Sequence, residues 1–181
     1  EYGRAVGLLE KLAVAKPDDR AAWAQAQLAV GLANLGRWEA ADAALSVLLE
    51  RHGEDGVVVP ALEQCADAAY EARDWTRAEK LFQTIVERNS DKPSVDRATS
   101  GLAWVRLNRG KWSEAADRFQ ELIEKNPEKR LAADAAWARA HVMEKLGRNE
   151  EALGLYGDAI DGKPDGSQTP RILLSVARLH G

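Results

Sequence analysis

Between Trp112 and Lys125 the apolar residues are Trp112, Ala115, Ala116, Phe119, Leu122 and Ile123, at i, i+3, i+4, i+7, i+10 and i+11. That spacing is the stripe of an amphipathic helix, and Arg118, Glu121 and Glu124 fall off it. The stripe recurs along the chain. Ala41, Ala78, Ala115 and Ala152 stand 37 residues apart, and Ala5 precedes the first by 36. Three residues before each of the four are Trp38, Trp75, Trp112 and Asn149, and four after are Leu45, Phe82, Phe119 and Tyr156. Leu48, Ile85, Leu122 and Ala159 follow seven after. A second column, Ala29, Ala66, Ala103, Ala140 and Ala177, keeps the interval of 37. So many columns in register make the chain an internal repeat, whose units stack because none buries its apolar face alone.

Each unit is predicted to hold two helices. The first carries the Ala29-type alanine, as in Ala61 to Arg73 or Thr99 to Arg109, and the second starts at the indole column, as in Trp112 to Lys125. Gly36, Gly110 and Gly147 mark the turn inside the unit, where glycine suits a left-handed helix C-cap, and Arg73 breaks that set. Between units, Pro17, Pro127 and Pro164 lie in polar clusters that cannot continue a helix. No strand-length window alternates with period two, so the predicted fold is all-α. Small residues such as Ala29 and Ala41 would let paired helices touch, with Trp38 and Leu45 filling the gaps beside them.

The pattern of small residue, Gly, aromatic, Ala, aromatic, apolar and Pro resembles the tetratricopeptide repeat. Gly110-x-Trp112-x-x-Ala115-x-x-x-Phe119-x-x-Leu122 followed by Pro127 is the best copy, and Gly147, Ala152, Tyr156, Ala159 and Pro164 make the next. Arg73 in place of Gly, Asn149 in place of Trp, and His52-Gly53 and Ser90 in place of Pro are departures. The glycine-rich, acidic stretch from Arg51 to Gly56 is expected to be a looser joint. The resemblance divides the chain into a second helix of a truncated repeat (1–19), four repeats (20–56, 57–93, 94–130, 131–167) and a terminal first helix (168–181). The helices at the two ends are placed at Arg4 to Ala15 and Arg171 to His180. The long unit is similar to a variant common in bacterial cell-envelope repeat proteins, which favours the periplasm over the cytoplasm. The absence of an initiator Met suggests a part of a larger bacterial protein.

Resemblance to this family implies a right-handed superhelix whose concave wall is built from the first helices and holds a peptide or helix of a partner. Aligned to the family pattern, the groove candidates are Trp23, Gln27, Gln64, Asp67, Tyr70, Arg97, Trp104, Asn108, Trp137, His141, Arg171 and Arg178. Trp104 and Trp137 depart most from the small residues expected nearby, and aromatics and Arg are the usual interface anchors. The alternative is that they thicken the core between neighbouring pairs. Glu63, Asp67 and Glu71 on one first helix against Arg97, Arg171 and Arg178 on later ones would make a groove acidic at one end and basic at the other. The clamp that grips chaperone tails needs Lys and Asn, where this chain has Ala26, Val30, Gln64, Arg97 and Gly101. That clamp is missing. Trp38, Trp75 and Trp112 are expected in the core.

With 25 basic and 29 acidic side chains the net charge is −4, which argues against nucleic acid as the main partner. No apolar run approaches the ~20 residues of a spanning helix, so no membrane insertion is expected. Cys65 is the sole cysteine, which excludes an internal disulfide, and it reads as a buried small hydrophobe. His52, His141 and His180 make no ligand spacing, and no phosphate-binding glycine loop occurs. Asp161 to Gly166 resembles the start of a calcium loop, but Lys163 takes a ligand position and Ile172 the place of the bidentate Glu. No cofactor, metal site or catalytic residue is expected. The reading is a noncatalytic protein-interaction scaffold. The alternatives are a spacer or a module that self-associates through exposed terminal helices, and the regulatory arm of an enzyme whose catalytic domain lies elsewhere.

Overall fold

The computed structural model describes residues 19–88, 92–125, 130–162 and 168–180. The second helix expected over Arg4 to Ala15 lies outside the described residues, as do Pro17, Pro127 and Pro164. Helices follow in the order α1 (Asp19–Asn34), α2 (Trp38–His52), α3 (Val58–Glu71), α4 (Trp75–Arg88), α5 (Lys92–Asn108), α6 (Trp112–Lys125), α7 (Arg130–Lys145), α8 (Asn149–Asp161) and α9 (Thr169–His180). The described residues hold no strand. They form two compact units, divided within α5 after Ala98.

In the first unit α1 packs on α2 and on α3, and α3 packs on α4. In the second, α7 lies against α6 and α8, and α9 against α8. Small side chains set this closeness. Ala29, Ala66, Ala103 and Ala140 have no exposed surface, and neither do Ala78, Ala115 and Ala152. The wider gaps beside them are filled by Leu48, Leu62 and Ile85 in one unit and by Phe119, Leu122 and Tyr156 in the other, all fully buried.

The turn within each pair has one geometry. Gly36, Arg73, Gly110 and Gly147 take φ of 68°, 60°, 75° and 73°. The next residue's N–H reaches back five positions, Arg37 to Leu32 O, Asp74 to Ala69 O, Lys111 to Arg106 O and Arg148 to Met143 O, each at 2.9 Å. This is a Schellman C-cap, with its left-handed residue normally glycine. Arg73 therefore does not alter the turn; it adopts the glycine conformation at a steric cost of about 1–2 kcal/mol. Asp74 offsets part of this by capping α4, its Oδ1 accepting the Arg77 N–H at 3.1 Å. Arg73→Gly should raise stability by about 0.5–1 kcal/mol, net of the extra freedom of glycine in the unfolded chain. Urea denaturation checks the sign, and a loss of stability would contradict this account of the turn.

Two expectations need correction. The stretch from Arg51 to Gly56 is a tied joint. Asp55 Oδ1 accepts the Val57 N–H at 3.0 Å, and the Arg88 guanidinium donates to the Gly53 carbonyl and stands 3.9 Å from Glu54. The indole column is also less buried than its periodicity implies. Trp38 and Trp75 are half-buried, and Trp112 is 38% exposed. These indoles open the second helices, where no preceding turn covers the outer ring edge. Arg77 covers Trp38 instead, its guanidinium 4.9 Å from the ring centre while also holding Asp42 at 3.2 Å.

Candidate interaction faces on the first helices

The residues expected in a groove all lie on first helices, and the two units carry separate sets. On the first unit, Trp23 of α1 is 50% exposed, and Gln27 beneath it is half-buried. On α3, Gln64 donates to the Pro60 carbonyl at 3.2 Å, and Tyr70 meets the Trp75 indole edge-on with centroids 5.2 Å apart. Asp67 accepts from Arg97 of α5 at 3.0 Å, and Glu63 lies 3.9 Å from the same guanidinium.

On the second unit the two indoles come together. Trp104 of α5 and Trp137 of α7 have ring centroids 5.5 Å apart. Trp104 also lies edge-on to Phe119 of α6 at 5.4 Å. Both indoles are half-buried, rooted on the core formed by Ala103, Phe119, Ala136 and Ala140. Both rings therefore pack against the core and keep part of their surface uncovered. Asn108 is spent locally, its amide donating to the Trp104 carbonyl at 2.9 Å.

Beyond the indoles stands a polar cluster centred on Glu144, whose side chain is 9% exposed. Its Oε2 accepts from Arg178 of α9 at 2.7 Å and lies 3.7 Å from His141 Nδ1. Burial, followed by the Lys145 charge, holds His141 below the ordinary imidazole range against the pull of Glu144. The ring is therefore neutral at neutral pH, and its contact with Glu144 is dipolar. Tyr156 beneath is fully buried; burial pushes its phenol up, opposed by the Ser175 hydroxyl and reinforced by the Glu144 charge. Arg171 is exposed at the start of α9.

Glu144 was not among the residues singled out in the sequence. The available signal was its position, three residues after His141 and 34 before Arg178, the spacing at which successive first helices meet. At comparable spacing, Arg97 pairs with Asp67 and Glu63 on the first unit, and Arg178 with Glu144 on the second. Among the described residues no helix is long and apolar enough to cross a membrane, and no cluster of His, Cys, Asp and Glu could hold a metal ion.

Stacked helix pairs with alanine notches and a Schellman turn define a class of helical repeat proteins. The sequence model of the tetratricopeptide repeat matches residues 65–111 and 101–167, more than half the chain, and the protein belongs to that family. Similar folds occur in MamA of Desulfovibrio magneticus RS-1, 14% identical, covering 90% of this chain and 85% of that one with a TM-score of 0.66. MamA AMB-1 is 22% identical over 93% and 87%, with a TM-score of 0.62. The kinesin light chain repeats of Podospora anserina are 16% identical over 90% and 87%, at 0.66. No curated protein matches the sequence. Tetratricopeptide repeat proteins serve in general as scaffolds for protein–protein interaction, and membership of the family gives this chain that general role.

Proposed function

We propose that the chain holds a peptide or helix of a partner protein against its first helices, and that the Trp104–Trp137 pair is the main anchor. The observation that carries this reading is the half-burial of both indoles: each is fixed at its base by the core yet keeps ring surface for a ligand. Such a side chain loses little conformational entropy on binding and presents a large apolar area, the usual make-up of an interface hot spot. His141, Arg171 and the Arg178–Glu144 pair would supply polar contacts beside it, and Trp23 with Asp67 and Arg97 a second, smaller face on the first unit.

Peptides selected from a random phage-displayed library on the wild-type chain provide the test. Trp137→Ala should weaken the selected peptides by at least about tenfold, equivalent to 1.4 kcal/mol. Trp104→Phe, which keeps the contact with Phe119, should weaken them less than Trp104→Ala. Affinities unchanged by both alanine variants, with helicity retained, would overturn the assignment. So would failure of the wild type to select any peptide.

A further inference from the structure

The second helices of the first unit carry a feature that the proposed interaction faces do not use. Between α2 and α4 lies a hollow of about 300 Å³ with Leu62 of α3 at its base. Its apolar lining is Leu45 and Leu49 of α2, Leu62, and Leu81 of α4, and all but Leu49 are buried. The column that carries Phe82, Phe119 and Tyr156 on the later second helices carries the shorter Leu45 here. Arg77 of α4 braces one end. Its guanidinium donates to Asp42 of α2 at 3.2 Å and to Asp74, and lies over the Trp38 ring. The two helices are thereby tied to each other beside the hollow. The result is a preformed site at the small end of the roughly 300–1,000 Å³ typical of ligand pockets.

The charges around the hollow are unequally satisfied. Arg77 is matched twice over, by Asp42 and Asp74. Lys80, one turn further along α4, lines the same hollow, is exposed, and has no carboxylate partner among the described residues. The Ser46 hydroxyl of α2 lines it too and can donate to an anion held there. An apolar floor beside one unmatched cation selects an amphipathic anion, whose body leaves water on the leucines while its head meets the ammonium. The two carboxylates at the Arg77 end repel such a head and turn it towards Lys80. We infer that this hollow binds a small monocarboxylate with an aliphatic or aromatic body. Its carboxylate lies on Lys80 and its body on Leu45, Leu49, Leu62 and Leu81.

Isothermal titration calorimetry with octanoate and with 1-octanol tests this. Octanoate should bind the wild-type chain at one saturable site, about fivefold more tightly than the alcohol, the gain expected of a partly exposed ion pair. Lys80→Gln alters an exposed position, so helicity should persist by circular dichroism. Its preference for octanoate should vanish while the alcohol binds as before. Leu45→Phe supplies the ring found in the other pairs, fills the hollow, and should weaken both ligands more than about tenfold. A wild type that binds neither ligand would overturn the inference. So would a preference for octanoate that survives Lys80→Gln, or undiminished binding of either ligand by a helical Leu45→Phe chain.

Discussion

Phe119→Ala is expected to lower stability by about 3–5 kcal/mol, the range for truncating a fully buried aromatic. Phe119 has no exposed surface, and its ring carries both the alanine notch around Ala115 and the edge-on contact with Trp104. The cavity cannot close readily, because Leu122 and Tyr156 of the same cluster are themselves fully packed. Trp112→Ala, on the same helix, removes a larger side chain that is 38% exposed, and should cost only about 1–2 kcal/mol. Urea denaturation of both variants gives the comparison. Equal losses would mean that the exposed indole is packed as tightly as the buried phenyl ring.

The thiol of Cys65 should be close to inert in the folded chain. Burial, reinforced by the negative charge of Asp42, pushes it from 9.0 up to about 12. At pH 8 the folded chain then holds about a thousandfold less thiolate than a free cysteine, and the thiolate is the nucleophile. Alkylation by iodoacetamide should therefore track unfolding and accelerate sharply in urea. The same shift sets a pH dependence. Above about pH 9 the unfolded chain releases this proton while the folded chain keeps it, so stability falls as pH rises toward about 12, with a slope approaching 1.4 kcal/mol per unit from this group. Cys65→Ala should flatten that slope. Native-state alkylation at the rate of a free thiol would contradict the buried placement.

Much of the fold is legible in the residues themselves. The alanine columns and the amphipathic stripe from Trp112 to Ile123 report steric closeness and burial directly; the second helix at Trp112–Lys125 forms where they place it, while α3 and α5 begin earlier than expected, at Val58 and Lys92 instead of Ala61 and Thr99. Periodicity was less informative at the indoles. A regular interval shows that Trp38, Trp75 and Trp112 occupy equivalent places, but whether a neighbouring turn covers the ring depends on the packing of successive pairs. Arg73 misled for a different reason. The turn depends on a left-handed backbone, which glycine favours and which surrounding hydrogen bonds can impose on arginine. On the candidate faces, Trp104 and Trp137 stood out as large side chains in a small-residue context. Glu144 did not, since a carboxylate on a helix is commonplace until Arg178 of α9 is brought to it beside its own helix neighbour His141. The ion pairs Arg97–Asp67 and Arg178–Glu144 were not legible either, because they form between successive first helices and not along one helix.

The chain has six tryptophans, three of them on first helices and three at the starts of second helices. Each indole N–H gives one cross-peak in a nitrogen–proton correlation spectrum, so a titration with a selected peptide reads all six at once. The account predicts that the Trp104 and Trp137 peaks move in a saturable way while those of Trp38, Trp75 and Trp112 stay in place. Movement of the second-helix indoles with Trp104 and Trp137 unperturbed would contradict it.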